Sequence, residues 1–196
     1  MRSETGGCCR GRIRFGVSPR RDEFHFTASG NTRRLGELRL CQTIHLKKIF
    51  AVSRPRTLLS PEHLASIVAM VRQAGKIAAG DEFTGFRFDA AGSSSPTFGR
   101  LASQLQDALG IPYSQADGDC VITVRPAPKG WEVLCRVGNR PLGTRRWRIV
   151  DYHGSLNATL AAAMVELAIP RPHDVFLNLM CGSGTLLIER LARCRA

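Results

Sequence analysis

Asp174-Val-Phe-Leu-Asn-Leu-Met-Cys-Gly-Ser-Gly-Thr-Leu-Leu-Ile-Glu189 decides the reading of this 196-residue chain. The apolar run Val175, Phe176, Leu177, Leu179 predicts a buried strand over Asp174–Leu179. It breaks into Cys181-Gly182-Ser183-Gly184 and resumes as an apolar helix carrying Leu186, Leu187, Ile188 and Leu191. Strand, glycine turn and helix start, in that order, are how an open α/β sheet builds the floor of a cofactor site. Other glycine loops fit less well. A P-loop needs a lysine that is absent after Gly184, the dinucleotide pattern needs a third small residue where Leu187 stands, and a nucleophile elbow needs glycines where Cys181 and Thr185 stand. What remains is a turn that a ligand without a pyrophosphate can approach closely, or a tight turn that binds nothing.

The wider segment Met180–Glu189 resembles motif I of the THUMP-domain RNA methyltransferases, enzymes that use S-adenosylmethionine to methylate the exocyclic amine of guanine in tRNA or rRNA. Gly154–Ala168 resembles the helix leading into that motif, Phe83–Arg148 a THUMP domain, and Arg34–His45 the ferredoxin-like lead-in of the same proteins. The resemblance implies an α/β fold, with an α+β THUMP-like region followed by the start of a Rossmann-like methyltransferase domain. The implied domains are a disordered basic tail over 1–21, a lead-in over 22–80, a THUMP-like RNA-binding domain over 81–148 and an incomplete methyltransferase domain over 149–196. It also implies S-adenosylmethionine as cofactor, held by Asn178, Met180, Cys181, Gly182, Ser183, Gly184 and Thr185.

Two departures stand out. The family carries an acidic residue and a proline where this chain has Asn178 and Leu179. An amide hydrogen-bonds a cofactor but cannot pair with its cationic amine as a carboxylate does. The Asn/Asp-Pro-Pro-aromatic catalytic motif, downstream of motif I in the family, is absent from these residues, so no catalytic group is assigned. The chain is expected to be the front part of a larger enzyme, disordered after about Pro170 or paired with another copy when isolated. The alternative is a non-catalytic THUMP-type RNA-binding module that has lost its enzyme half.

Charge supports a nucleic-acid partner. The formal net charge is +12, and 43% of residues are hydrophobic, an ordinary value for a globular protein. Much of the excess lies early, in Arg2, Arg10, Arg12, Arg14, Arg20 and Arg21. Arg145, Arg146 and Arg148 surround Trp147, and Lys129, Arg136 and Arg140 lie on or near a hairpin. These six basic residues are the candidate RNA contacts, since arginines pair with phosphates and an indole either stacks on a base or packs into an interface. The resemblance implies that this partner is tRNA or rRNA.

Seven cysteines without C-x-x-C spacing, and dispersed histidines, predict no zinc site and no disulfide scaffold. The free thiols fit the cytoplasm. No apolar run approaches membrane-spanning length. Cys181 is read as a small residue lining the cofactor floor, with a nucleophilic thiol as the other possibility.

Periodicity and punctuation give the remaining elements. Strands are predicted at Phe24–Ser29, Ile49–Ser53, Phe83–Phe88, Asp119–Arg125 and Trp131–Val137. Helices are predicted over Leu35–Leu46, from Ser60-Pro61-Glu62 to Gly75 or Gly80, and along Phe98, Leu101, Leu105 and Leu109 to Gly110. Asp117 and Asp119 flank Gly118 as turn residues.

Overall fold

The computed structural model describes residues 13–17, 20–78, 82–150 and 153–193. The strands are β1 (Ile13–Phe15), β2 (Phe26–Ala28), β3 (His45–Phe50), β4 (Phe86–Asp89), β5 (Cys120–Ala127) and β6 (Gly130–Arg136). The α-helices are α1 (Pro61–Ile77), α2 (Pro96–Leu109), α3 (Ala158–Leu167) and α4 (Thr185–Arg193), with 3₁₀ turns at Arg33–Glu37 and Pro55–Leu59. The fold is mixed α/β, and it falls into two compact units. One comprises Ile44–Arg140; the other is discontinuous and joins Met1–Thr43 to Pro141–Ala196. The packing units are therefore cut near 43 and 140, whereas the sequence reading cuts at 80 and 148.

In the Ile44–Arg140 unit the strand order is β3-β6-β5-β4. β3 and β5 run antiparallel to β6, while β4 is parallel to β5. A parallel neighbour needs a crossover, and α2 supplies it. Helix α1 opens with Pro61 at its first position, where the missing N–H is no loss. Ser60 holds the N-cap position, but its hydroxyl lies 2.8 Å from His63 Nδ1 and makes no capping bond. Gly110 closes α2 at φ 73°, a left-handed conformation that glycine adopts without steric cost. The helices cover one sheet face. Phe88 meets Phe98 of α2, Phe50 meets His63 of α1, and Ile67, Leu105, Ile122 and Val133 fill the space between. Asp119 is turn chemistry, as expected: its carboxylate accepts from the backbone N–H groups of Thr84 and Gly85.

Cys120 and Cys135 belong to this core, with sulfur atoms 3.8 Å apart and both side chains fully buried. The hydrogen bond from Cys120, followed by burial, pushes the Cys135 thiol well above its usual range. An unfolded thiol ionises near pH 8.5. Below that pH both states hold the proton, so the contribution to stability is fully present. Above it the unfolded chain loses its proton first, so stability falls as pH rises. Maleimide labelling of the native chain at pH 8 is expected to modify exposed Cys181 and spare Cys120 and Cys135 until denaturant is added. Rapid native labelling of the buried pair would contradict this packing.

In the other unit β1 and β2 form an antiparallel pair, Phe15 opposite Phe26. This corrects the expected disordered tail at Ile13–Phe15; residues 1–12 and 18–19 of that tail lie outside the described residues. The expected helix over Leu35–Leu46 also does not form. Its start is the 3₁₀ turn, with Leu35 and Leu38 buried, and its end is drawn into β3 by six pairings with β6. Helix α3 begins at Asn157, whose side chain accepts from the N–H groups of Thr159 and Leu160. Its small buried face, Ala158, Ala161, Ala162 and Val165, lets α4 approach closely.

The largest correction concerns the opening stretch. Residues 174–178 are irregular, and Val175 is 98% exposed. A strand needs neighbours for its N–H and C=O groups, and among the described residues none pairs with this segment. Helix α4 does not fully bury its predicted apolar residues either: Leu186, Leu187 and Ile188 are half-buried. Thr185, Glu189 and Arg190 are buried, while Leu191 is exposed.

Candidate cofactor site

The glycine turn forms as expected. Gly182 and Gly184 have φ of 51° and 72°, and the Gly184 N–H closes the turn on the Cys181 carbonyl at 2.8 Å. These values need glycine, because other L-residues are strained there. A Cβ on either glycine would meet nothing within 4 Å, so the turn is open on its outer side.

Beside it lies an open recess of about 500 Å³, lined by Gly182, Ser183, Ile188 and the segment Trp147–Val150. Of the seven cofactor candidates, Gly182 and Ser183 line this space and Thr185 is buried behind it. Asn178, Met180, Cys181 and Gly184 lie outside the lining. Met180 is 92% exposed, and Cys181 is exposed too. The recess wall also carries a polar group without a partner among the described residues, the buried indole N–H of Trp147. A buried donor of this kind costs about 1–3 kcal/mol when it has no acceptor.

Behind the turn, α4 is anchored by an ion triad that the sequence reading missed. The Glu189 carboxylate accepts from Arg39 Nε at 2.6 Å and from Arg145 Nε at 3.0 Å. Arg145 also donates to the backbone carbonyls of Leu142 and Arg39. The signal available was a glutamate one helical turn after Thr185, but its partners are far away in sequence.

The basic candidates divide accordingly. Arg145 is buried in the triad, and this corrects its assignment as an RNA contact. Arg136 is corrected on the same ground: its guanidinium donates to the carbonyls of Asp119, Asn139 and Gly138. Burial, and then the nearby charge of Arg87, lower the pKa of Arg136. Arg148 is half-buried and donates to Thr185 and Leu156. Lys129 and Arg146 are exposed and Arg140 is half-buried. Lys129 and Arg140 belong to one unit and Arg146 to the other.

The Ile44–Arg140 unit adds basic residues that the sequence reading did not select. Side chains alternate across a sheet, so Lys47, Arg87 and Arg125 point away from the face that packs on α1 and α2. Lys47 and Arg125 flank Glu132 across three adjacent strands. Among the described residues no cluster of three or more His, Cys, Asp or Glu could hold a metal ion, and no helix is long and apolar enough to cross a membrane.

Residues 145–193 match the family model UPF0020, RMKL-like methyltransferase domain. The match covers the recess wall, α3, the glycine turn and α4. The tRNA (guanine(6)-N2)-methyltransferase of Methanocaldococcus jannaschii is 38% identical over 52 residues, which are 26% of this chain and 14% of that protein. TrmN from Thermus thermophilus matches with a TM-score of 0.50 and 23% identity, over 83% of this chain and 49% of that one. A predicted N6-adenine-specific DNA methylase from Listeria monocytogenes matches with a TM-score of 0.54 and 14% identity, over 88% and 48%. At these identities the two structures show a shared fold alone. The chain spans about half the length of each of them, and 14% of the curated relative.

Proposed function

We propose that this chain is part of an S-adenosylmethionine-dependent RNA methyltransferase acting on the exocyclic amine of guanine in tRNA or rRNA. The observation that carries the reading is an open glycine turn, beside a recess, inside the segment that matches a methyltransferase domain. The guanine-N2 target draws on the 38% identity to the archaeal tRNA enzyme over 52 residues. Gly182 and Gly184 leave room for the methionine end of the cofactor, and Ser183 offers a hydroxyl to it. The residues fit such a group. The turn is open where a ligand would sit, and backbone N–H groups at the start of α4 favour a carboxylate. When bound, the cofactor supplies an electrophilic methyl group. The chain's own part is to hold and orient it, and positioning carries much of the rate in such transfers.

In this proposal RNA is held separately, by the THUMP-like region. Lys47, Arg87, Lys129 and Arg140 supply positive charge in the Ile44–Arg140 unit, and Arg146 supplies it in the other. Phosphate contacts of this kind give affinity that falls steeply with salt. The free thiols at Cys41, Cys120, Cys135 and Cys181 fit a cytoplasmic protein.

Calorimetric titration with S-adenosylhomocysteine tests the site. The wild-type chain is expected to bind at one site. Gly182→Val is expected to bind at least about ten-fold more weakly, because a branched side chain is strained at positive φ and fills the open side of the turn. A chain that binds tRNA but not this ligand would favour the non-catalytic RNA-binding module instead.

A further inference from the structure

We propose that Arg148 is a positioning residue that fixes Ser183 as a hydrogen-bond donor to an anionic group in the recess. The proposal rests on the cofactor reading above, in which that group is the carboxylate of the methionine end.

The argument follows single protons. Arg148 Nη2 donates to Thr185 Oγ1 at 2.8 Å and to the Leu156 carbonyl at 2.8 Å. A guanidinium donates only, so Thr185 Oγ1 must accept this bond. Thr185 is 2% exposed, and its hydroxyl has one proton to place. The side-chain oxygen available to it among the described residues is Ser183 Oγ, 2.9 Å away. Either hydroxyl could donate this bond; we assign it from Thr185 to Ser183, because Arg148 already occupies an acceptor position on Thr185 and leaves the threonine proton facing Ser183. With its oxygen accepting from behind, Ser183 keeps its own O–H for the open side, where it lines the recess. Each bond polarises the next, so a full positive charge at one end strengthens the donor at the other. The guanidinium sits over the Trp147 ring, 5.5 Å from its centroid, which fixes its plane beside the same recess. Arg148 thus acts through two hydroxyls, and its second bond ties the recess wall to the entry of α3.

The test uses the full chain with two probes, S-adenosylhomocysteine and 5′-methylthioadenosine, which lacks the amino-acid end. Arg148→Met removes the donors and keeps much of the stem; Arg148→Lys keeps a charged donor; Ser183→Ala removes the last link. Arg148→Met and Ser183→Ala are each expected to weaken S-adenosylhomocysteine about ten-fold, the effect of one charge-assisted hydrogen bond, and 5′-methylthioadenosine less than about two-fold. The double variant is expected to be no worse than either single one, because both break the same relay. Arg148→Lys is expected to recover most of the loss. Equal weakening of both probes by Arg148→Met would make the residue merely structural and overturn the proposal, as would additive losses in the double variant. Ser183→Ala still decides the matter if Arg148→Met does not fold, since Ser183 is exposed. Wild-type chain that binds both probes equally would show that nothing at the turn holds the amino-acid end, and would overturn the relay alone. Wild-type chain that binds neither would overturn the cofactor reading itself.

Discussion

Glu189→Ala is expected to destabilise the discontinuous unit by about 3–5 kcal/mol, the usual result of removing one partner from a buried ion pair. The Glu189 side chain is fully buried, and it faces two arginines. Removing it takes the carboxylate partner from buried Arg145, while Arg145 stays tied to the carbonyls of Leu142 and Arg39. The three residues come from positions 39, 145 and 189, so the triad joins the segment before Ile44 to the helix that carries the glycine turn. Loss of the triad is expected to weaken ligand binding at the turn as well. Glu189→Gln should cost less, because an amide oxygen still accepts one hydrogen bond. Replacing Arg39, Glu189 and Arg145 together with Met, Leu and Met should cost far less than Glu189→Ala, since apolar groups need no countercharge. Denaturant unfolding checks this. The chain has two tryptophans, Trp131 and Trp147, one in each unit. In a Trp131→Phe background, Trp147 fluorescence therefore reports on this unit. A loss below about 1 kcal/mol for Glu189→Ala would show that the triad does not hold α4.

Phe88→Ala is expected to cost the Ile44–Arg140 unit about 3–5 kcal/mol, typical of deleting a buried ring. Phe88 is almost wholly buried on β4, and its ring lies 5.2 Å from that of Phe98, 5.6 Å from Tyr113 and 5.8 Å from Phe86. These partners sit on β4 itself, on α2 and in the turn before β5. The loss combines transferred apolar area with a cavity that three aromatic neighbours cannot close without leaving their rotamers. Phe88→Leu should lose roughly half as much, because the smaller side chain fills part of the space. Trp131 emission followed through urea unfolding in a Trp147→Phe background gives the measurement. Near-equal midpoints for wild type and Phe88→Ala would mean that the sheet and α2 do not share this core.

Local chemistry made the helices α1 and α2, the β5–β6 hairpin and the glycine turn legible from sequence. Each is bounded by residues whose backbone preference acts on the spot: Pro61 and Pro96 at helix starts, Gly110 at a helix end, and Gly182 and Gly184 at positive φ. The apolar stripe Phe98, Leu101, Leu105 lies on one helix face and is buried, as its spacing predicts. The likeness to methyltransferases was legible in the same way, because it rests on the local residue order of Met180–Glu189.

Tertiary structure decided the rest, where a residue's role depends on distant partners. The run 174–179 has the composition of a strand but no strand beside it among the described residues, so its backbone stays irregular. Residues 45 and 46 leave a predicted helix because β6, some ninety positions later, offers a hydrogen-bond ladder. Arg136, Arg145 and Arg148 read as a cationic surface, yet each guanidinium finds acceptors far along the chain: the Asp119 carbonyl, the Glu189 carboxylate and the Thr185 hydroxyl. An arginine's charge is written in the sequence, but the acceptors that turn it inward are brought within reach only by folding.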